Sequence, residues 1–404
     1  MNSTILIFTD RFPYGRSETF FSPEIEFISR SFSGTVIVPF ETGPSTAIRS
    51  LPENIQVIKP PFRNSKNKAE VIIKGFFNTS PVIPFLKEGK VSGAWKSAEK
   101  MRIWITHFLV IRRLISKIRS DKFMQLLKSS RIIYFYWGLR WSQVIPFLPN
   151  DFKLPVAVRF HGSDLYEHLN GDYIPWRMQQ INRINSYIAV SEAGRKYLLT
   201  KYGIPHEKIF LCRIGTFGCG LNPYKKTEII RIISCSNIVP VKRVELIAAE
   251  LAWLKIKAEW IHFGDGPLKK KALQSASLLP EDISWRLAGE INHDELFNFY
   301  REVSVDLFIN VSSSEGVPVS VMEALSFGIP VIATNAGGTS EIVSSLNGMI
   351  LPVDFAPGSL AKAIEKLTGS NGYMQLRAYA RKIWEEKCNA GNLYPEFMNH
   401  LLNL

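Results

Sequence analysis

Cysteine is scarce in this chain of 404 residues, and the four that occur, Cys212, Cys219, Cys235 and Cys388, include no CxxC pair. A disulfide framework is thereby excluded, and neither a structural zinc site nor thioredoxin-like redox chemistry is expected. Long apolar runs are missing as well. Lys74, Arg140 and Glu323 interrupt the best candidates, leaving no stretch of about 18 uncharged apolar residues to cross a membrane. The amino terminus, MNSTILIFTD, lacks a basic region followed by a long apolar stretch, which predicts no signal peptide. No repeat of solenoid period occurs. These absences predict a cytoplasmic protein in a reducing compartment.

What is present is an ordinary globular composition, 46% hydrophobic and 21% charged, with 26 Gly and 23 Pro, so disorder, collagen and coiled coil are excluded. The length is too great for one core and predicts two domains. The net charge of +13 favours acidic partners. That charge is concentrated. Residues 59–131 hold 17 Lys and Arg against Glu70, Glu88, Glu99 and Asp121, so the rest of the chain is neutral in sum. Phe62, Phe76, Phe77, Phe85, Trp95, Trp104 and Phe108 are interleaved with the charges. Such a segment suits an anionic bilayer interface, or equally a solvated helical face whose aromatics point inward.

Short apolar runs alternate with amphipathic stretches. Ile5–Phe8, Thr35–Pro39, Ile132–Tyr136, Val156–Phe160 and Tyr187–Val190 read as buried strands, and Arg231–Cys235, Glu259–Phe263, Val305–Asn310, Val331–Ala333 and Met349–Leu351 form a second series. Buried strands alternating with helices predict an α/β protein with parallel sheets covered on both faces. Glycine and proline cluster in GTFGCGLNP, residues 215–223, which puts the domain boundary near 213–228.

The segment VDLFINVSSSEGVPVSVMEALSFGIPVIATNAGGTSEI, residues 305–342, reads strand, serine-rich loop, helix, strand. Pro318 suits the first helical turn, where a missing N–H has no partner to lose. Open parallel sheets bind ligands at the loops on the carboxyl ends of their strands. Glu315 lies on such a loop, and Glu323 about a turn and a half inside the helix. The pair can hold two hydroxyl-bearing groups of one extended ligand while the helix amino end faces its phosphates. Gly337 and Gly338 precede Thr339, expected to cap a helix, and the amides of such a turn accept phosphate oxygens.

This stretch resembles the donor-binding signature of retaining GT-B glycosyltransferases, the glycosyltransferase group 1 family (family 4). SNIVPVKRVELI, FGDGPLKKK, LAGEINHDEL and NGMILPVD match in the family's order across residues 231–354. FPYGRSETFFSPEIEFI, FHGSDLYE, IAVSEAGRKYL and IFLCRIGT match more loosely the first domain of members that build exopolysaccharides and capsules.

The resemblance implies two Rossmann-like domains facing across a cleft: an acceptor-binding domain, 1–215, and a nucleotide-sugar donor domain, 216–385, with a last helix, about 386–404, crossing back to the first. It also implies roles. Glu315 would contact the transferred sugar near its anomeric carbon, and Glu323 would hold the ribose. Lys242 would offset charge on the leaving diphosphate, helped by the helix start at Gly316, Val317, Pro318 and Val319 and by amides of Gly337, Gly338 and Thr339. The Pro318 position would contribute only as part of that helix start. His161 would line the sugar site from the first domain, where Asp164 is read as a helix cap, and Gly15 would belong to a phosphate-facing loop. One position departs from the family. Where an arginine usually stands five residues before the lysine, this chain has Asn237, with Arg243 or Arg213 as possible substitutes.

The expected reaction is retaining transfer of a sugar from a nucleotide-diphosphate sugar to a hydroxyl of a saccharide or lipid-linked saccharide. It would serve exopolysaccharide, capsule or lipopolysaccharide synthesis at the inner face of the cytoplasmic membrane. No Asp-x-Asp motif occurs, so no metal and no other cofactor is expected, and no nucleic-acid partner. A sugar-nucleotide epimerase and a non-catalytic scaffolding subunit remain as rival readings.

Overall fold

The apolar runs become the central strands of two parallel sheets. The computed structural model describes residues 3–15, 18–44, 46–63, 73, 83–149 and 151–404, with 83–85 as backbone only. Contacts divide the chain into two units, Met1–Cys212 with Tyr394–Leu404, and Arg213–Leu393.

The first unit contains β1 (Thr4–Thr9), β2 (Gly34–Pro39), β3 (Ile55–Val57), β4 (Ile132–Phe135), β5 (Val156–Phe160), β6 (Ser186–Ala189) and β7 (Ile209–Leu211). They lie in the order β3-β2-β1-β4-β5-β6-β7, all parallel. The second contains β8 (Ile230–Cys235), β9 (Ala258–Phe263), β10 (Ile283–Gly289), β11 (Leu307–Asn310), β12 (Val331–Thr334) and β13 (Gly348–Leu351), in the parallel order β10-β9-β8-β11-β12-β13. The α/β expectation is met in both units.

Three strands carry no expectation above: β3, β7 and β10, each at a sheet edge. An edge strand is covered incompletely, so its side chains need not be uniformly apolar. In β10, ISWRLAG, only Ile283 is buried, whereas every residue of β11 and β12 is.

Each sheet has one switch point, where successive connections leave in opposite directions along the sheet. In the first unit it falls between β1 and β4, in the second between β8 and β11. Loops at the carboxyl ends of these strands diverge and leave a crevice, the usual ligand position in such sheets.

The helix Ala390–Leu402 begins in the second unit, and from Tyr394 its residues belong to the first. Tyr394 meets Phe27, Phe397 meets Tyr134, and His400 Nε2 lies 2.7 Å from Ser186 Oγ. Beneath it Arg159 and Glu24, both fully buried, pair at 2.8 Å, and burial pushes the Glu24 carboxyl up against the pull of Arg159.

The basic segment folds largely as helices, Ile83–Val91, Ala98–Ile118 and Asp121–Ser129. Of its aromatics, Phe62 and Trp104 are buried, and Phe108 stacks on Trp104 with ring centroids 5.2 Å apart. Phe76, Phe77, Lys66, Lys68, Glu70 and Lys74 lie outside the described residues, as does the Phe85 side chain. Among its described apolar side chains that face solvent are Leu86 (44% exposed), Val91 (75%), Trp95 (43%) and Ile105 (45%). They are flanked by the exposed Lys87, Lys90, Lys96 and Arg102. Among the described residues no helix is long and apolar enough to cross a membrane.

Candidate active site

At the switch point of the second unit the loop after β8 carries a single 3-10 turn, Pro240–Lys242. The loop after β9 props it from below. Gly264 has φ +141°, and a Cβ there would stand 1.9 Å from the carbonyl oxygen of Ser236; one on Gly266 would stand 2.5 Å from that of Ile238. Only glycine permits this approach, which accounts for FGDG at the strand end. The loop after β11 is stitched to the same turn, because Ser313 N–H donates to the Val241 carbonyl at 2.8 Å.

That stitching brings Lys242 Nζ to 2.5 Å from Glu315 Oε1. Asn310, at the end of β11, donates from Nδ2 to the same oxygen at 3.2 Å and accepts the Ser312 N–H through Oδ1 at 3.0 Å. The Glu315 side chain is 10% exposed and that of Lys242 24%. An ammonium and a carboxylate thus share one partly shielded spot, with the second oxygen of Glu315 unbonded among the described residues.

The following helix runs Val319–Ser326. Pro318 stands just before it rather than in its first turn, since its ψ of 119° is extended. Val321 and Met322 N–H both donate to the Pro318 carbonyl, and the N–H groups of Val319 and Ser320 have no acceptor among the described residues. Such orphan donors face an anion favourably.

The glycine turn lies on the Glu315 loop. Gly337 has φ +55°, and a Cβ there would stand 1.8 Å from the Glu315 carbonyl oxygen. Gly338 N–H donates to the Gly316 carbonyl at 2.6 Å, and Thr339 N–H to that of Ala336 at 3.1 Å. Two of the three amides expected to face phosphate are therefore spent inside the protein, and only that of Gly337 is open. Thr339 is not the cap of a helix either. It is the buried first residue of a one-turn 3-10 segment, Thr339–Glu341, and its hydroxyl turns back to the Ala336 carbonyl at 2.6 Å.

Glu323, 7% exposed, meets a residue that sequence reasoning passed over. His293 Nε2 lies 2.8 Å from Glu323 Oε1. Partial burial lowers the basicity of His293, but the hydrogen bond and the charge of Glu323 outweigh it, and the net shift is upward. Beneath lie Cys235, whose thiol burial pushes up to about 12, and the buried Tyr300.

Neither of the two arginines expected to substitute for the missing one is placed to do so. Arg243 spends its guanidinium on two carbonyls, Nε to Val311 at 2.7 Å and Nη1 to Val353 at 2.9 Å, a clamp formed because φ +50° turns the residue back across the loop. Arg213 pairs with Glu341 at 2.8 Å. Asn237 is exposed on the loop after β8, leaving Lys242 as the cation in contact with Glu315.

The remaining candidates lie in the first unit, at its own switch point. His161 follows β5, is 7% exposed and leaves both ring nitrogens without a hydrogen-bond partner. Its ring lies against Trp137, centroids 4.2 Å apart. Asp164 accepts the N–H groups of His161 at 2.6 Å and Gly138 at 2.5 Å, so its work is structural. Gly15 has φ +59°, but its N–H is committed to the Ala47 carbonyl at 3.0 Å. Glu18, also unforeseen, accepts from Asp10, Arg11 and Phe12 N–H and from Trp137 Nε1 at 2.6 Å. The SETF sequence gave a signal, but a carboxylate's partners lie elsewhere in the chain.

Comparison with known proteins matches residues 222–383 to the model of glycosyl transferases group 1. The protein WcaL of Escherichia coli, named as a colanic acid biosynthesis glycosyltransferase, is 28% identical over 214 residues, 49% of this chain and 51% of its own length. Protein CapJ of Staphylococcus aureus is 27% identical over 267 residues, 61% of this chain and 62% of its own. The matched stretch thus spans about half the length of such relatives. Among solved structures, Anabaena Alr3699/HepE in complex with UDP aligns over 99% of this chain and 100% of its own, with TM-score 0.67 at 16% identity. The galactosyltransferase WaaB, of the lipopolysaccharide outer core, aligns over 99% of both chains with TM-score 0.62 at 14% identity. Residues 222–383 are thus a glycosyl transferases group 1 domain, and the two parallel Rossmann-like sheets of the chain have the GT-B fold of these solved structures.

Proposed function

We propose that this protein transfers a sugar from a nucleotide-diphosphate sugar to an acceptor hydroxyl, with retention of anomeric configuration and without a metal, in bacterial surface polysaccharide synthesis. The observation that carries this reading is the Lys242–Glu315 pair at the switch point of the second sheet, with Glu323 on the adjoining helix. Glu315 contacts the transferred sugar and, with local dipoles, stabilises the positive charge that develops at its anomeric carbon. Lys242 offsets the negative charge growing on the departing diphosphate, assisted by the open amides of Val319, Ser320 and Gly337. Glu323 binds the ribose. The leaving phosphate takes the acceptor proton, since no base beside this motif is required. The names of WcaL and WaaB, and the UDP held by HepE, support the donor class and the pathway.

The direct test is incubation of the chain with UDP-, GDP- and dTDP-sugars, with and without saccharide acceptors, with and without EDTA. Nucleoside diphosphate released with formation of a glycoside of the donor's anomeric configuration, undiminished by EDTA, is expected. A changed sugar without acceptor would instead mark an epimerase, and binding without turnover a scaffolding subunit.

The acceptor is proposed to be lipid-linked and reached at the inner membrane face. Leu86, Val91, Trp95 and Ile105 among Lys87, Lys90, Lys96 and Arg102 favour an anionic bilayer. Arg112, Arg113 and Lys117 are half-buried, and Lys117 donates to the Lys59 carbonyl, so they suit this contact less. Cosedimentation with anionic vesicles at low salt, release at high salt and loss on reversing Lys87, Lys90, Lys96 and Arg102 to glutamate are expected. Equal partitioning to neutral vesicles would reduce the surface to a solvated face.

A further inference from the structure

Glu323 is held in an uncommon way for a carboxylate on a helix that presents ligand-facing groups. Its side chain is 9% exposed, and among the described residues its one side-chain hydrogen bond is the 2.8 Å contact from Oε1 to His293 Nε2. Oε2 makes none, so one oxygen is fixed and the other is presented.

His293 is itself fixed from two directions. It is the first residue of the helix His293–Glu302, whose start is locked by a reciprocal pair: Glu295 N–H donates to Asn292 Oδ1 at 2.8 Å, and Asn292 N–H to Glu295 Oε2 at 2.9 Å. One turn on, its ring lies against Phe297, centroids 4.0 Å apart, and Phe297 is buried against Phe327 at 5.2 Å. The capped helix start sets the backbone of His293, and Phe297 supports one side of its ring, the other side being open, with the side chain 54% exposed. Such support is what a binding carboxylate needs in order to hold one rotamer without its ligand.

We infer that His293 is a positioning residue for the donor nucleotide, holding Glu323 Oε1 so that Oε2 is presented to the ribose hydroxyls. The inference rests on the reading of Glu323 as the ribose contact. Its consequence is selective: His293 matters for nucleotides that carry ribose hydroxyls and is indifferent to those without them. A residue that only stabilised the fold would affect both alike.

The test uses the full chain. UDP, GDP, ADP and dTDP are titrated calorimetrically into the wild-type protein, and the tightest is compared with its analogue lacking the ribose hydroxyls. His293→Phe keeps the ring against Phe297 but removes the donor; His293→Gln keeps an N–H donor. For the hydroxyl-bearing nucleotide, His293→Phe is expected to weaken binding about tenfold and His293→Gln about twofold or less, as for loss and retention of a hydrogen bond to a charged group. For the analogue, all three proteins are expected to bind alike. Equal affinity of His293→Phe and wild type for the hydroxyl-bearing nucleotide overturns the inference while leaving the donor site standing. So does an equal loss in both variants, or a loss that persists with the analogue. If the wild-type chain binds none of the four nucleotides, the donor reading falls and takes this inference with it.

Discussion

The two units repeat one device with opposite use of charge. Each has a parallel sheet with a switch point, and each collects carboxylates and cations on the loops there. In the first unit these groups are absorbed by the protein. Glu18 takes three backbone N–H groups and the Trp137 indole, Asp164 takes two backbone N–H groups, Arg11 pairs with Glu41 at 2.5 Å, and Arg140 with Asp10 at 3.1 Å. In the second unit Glu315 and Glu323 are met by side chains, Lys242, Asn310 and His293, and among the described residues each keeps one oxygen open. Glu18 and Asp164 have both oxygens filled, largely by backbone amides that could be given up only by unfolding a loop, whereas Glu315 and Glu323 are each held through one oxygen. A carboxylate at a switch point therefore suits a ligand where the fold leaves one of its oxygens unused.

That contrast predicts opposite phenotypes for the two sets. The largest effect is expected from Glu315→Gln, which keeps size and hydrogen bonding but removes the charge. Turnover should fall by about a hundredfold to a thousandfold, the usual scale for removing one group that stabilises developing charge, while melting temperature and nucleotide affinity hold. Transfer at the wild-type rate would show that Glu315 does not serve the reaction.

Glu18→Ala should do the reverse. It strips acceptors from several backbone N–H groups at once, and a buried donor left unsatisfied costs about 1–3 kcal/mol. Urea unfolding should report a loss of several kcal/mol, with nucleotide binding to the second unit retained in the protein that remains folded. Wild-type stability in this variant would erase the distinction between the two switch points.

A smaller effect concerns pH. Burial raises the Asp10 carboxyl to about 7; Arg140 opposes the shift, and Glu18, Asp164 and Glu41 add to it. The folded state then keeps a proton that the unfolded chain releases near pH 4, so stability falls as pH rises from about 4 to about 7. Asp10→Asn should flatten that slope, and an unchanged slope would place its origin elsewhere. In the second unit His293 is shifted upward by Glu323, so its contribution is complete below about pH 6.5 and is lost as pH rises through its raised value. His293→Gln should remove that later decline and leave the earlier one.

The smallest effect is expected at Asn237. It is exposed and neither Arg243 nor Arg213 stands in for the missing arginine, so Asn237→Arg should fold normally and tighten nucleoside diphosphate binding a few-fold. Weakened binding would mean that Asn237 is itself a required contact.

The sequence by itself determined the core strands, because a strand buried on both faces is apolar along most of its length, and LFI, VIA and ILIF can be little else. It also determined the loop that holds Glu315 and the start of the helix that carries Glu323, since a glycine and proline pattern at strand ends specifies a turn locally. Three of the four edge strands, β3, β7 and β10, left a weaker trace, for half-covered positions accept any residue. What only the tertiary structure decided was the partner of each charge. Lys242 lies 73 positions from Glu315, His293 30 from Glu323, and Trp137 119 from Glu18, and nothing local to any of them encodes the encounter. The same holds for the corrections. Thr339, Arg243 and the amide of Gly338 have the right chemistry for a ligand, but the fold offers each a carbonyl within hydrogen-bonding distance, and a group already satisfied there is no longer available for a ligand.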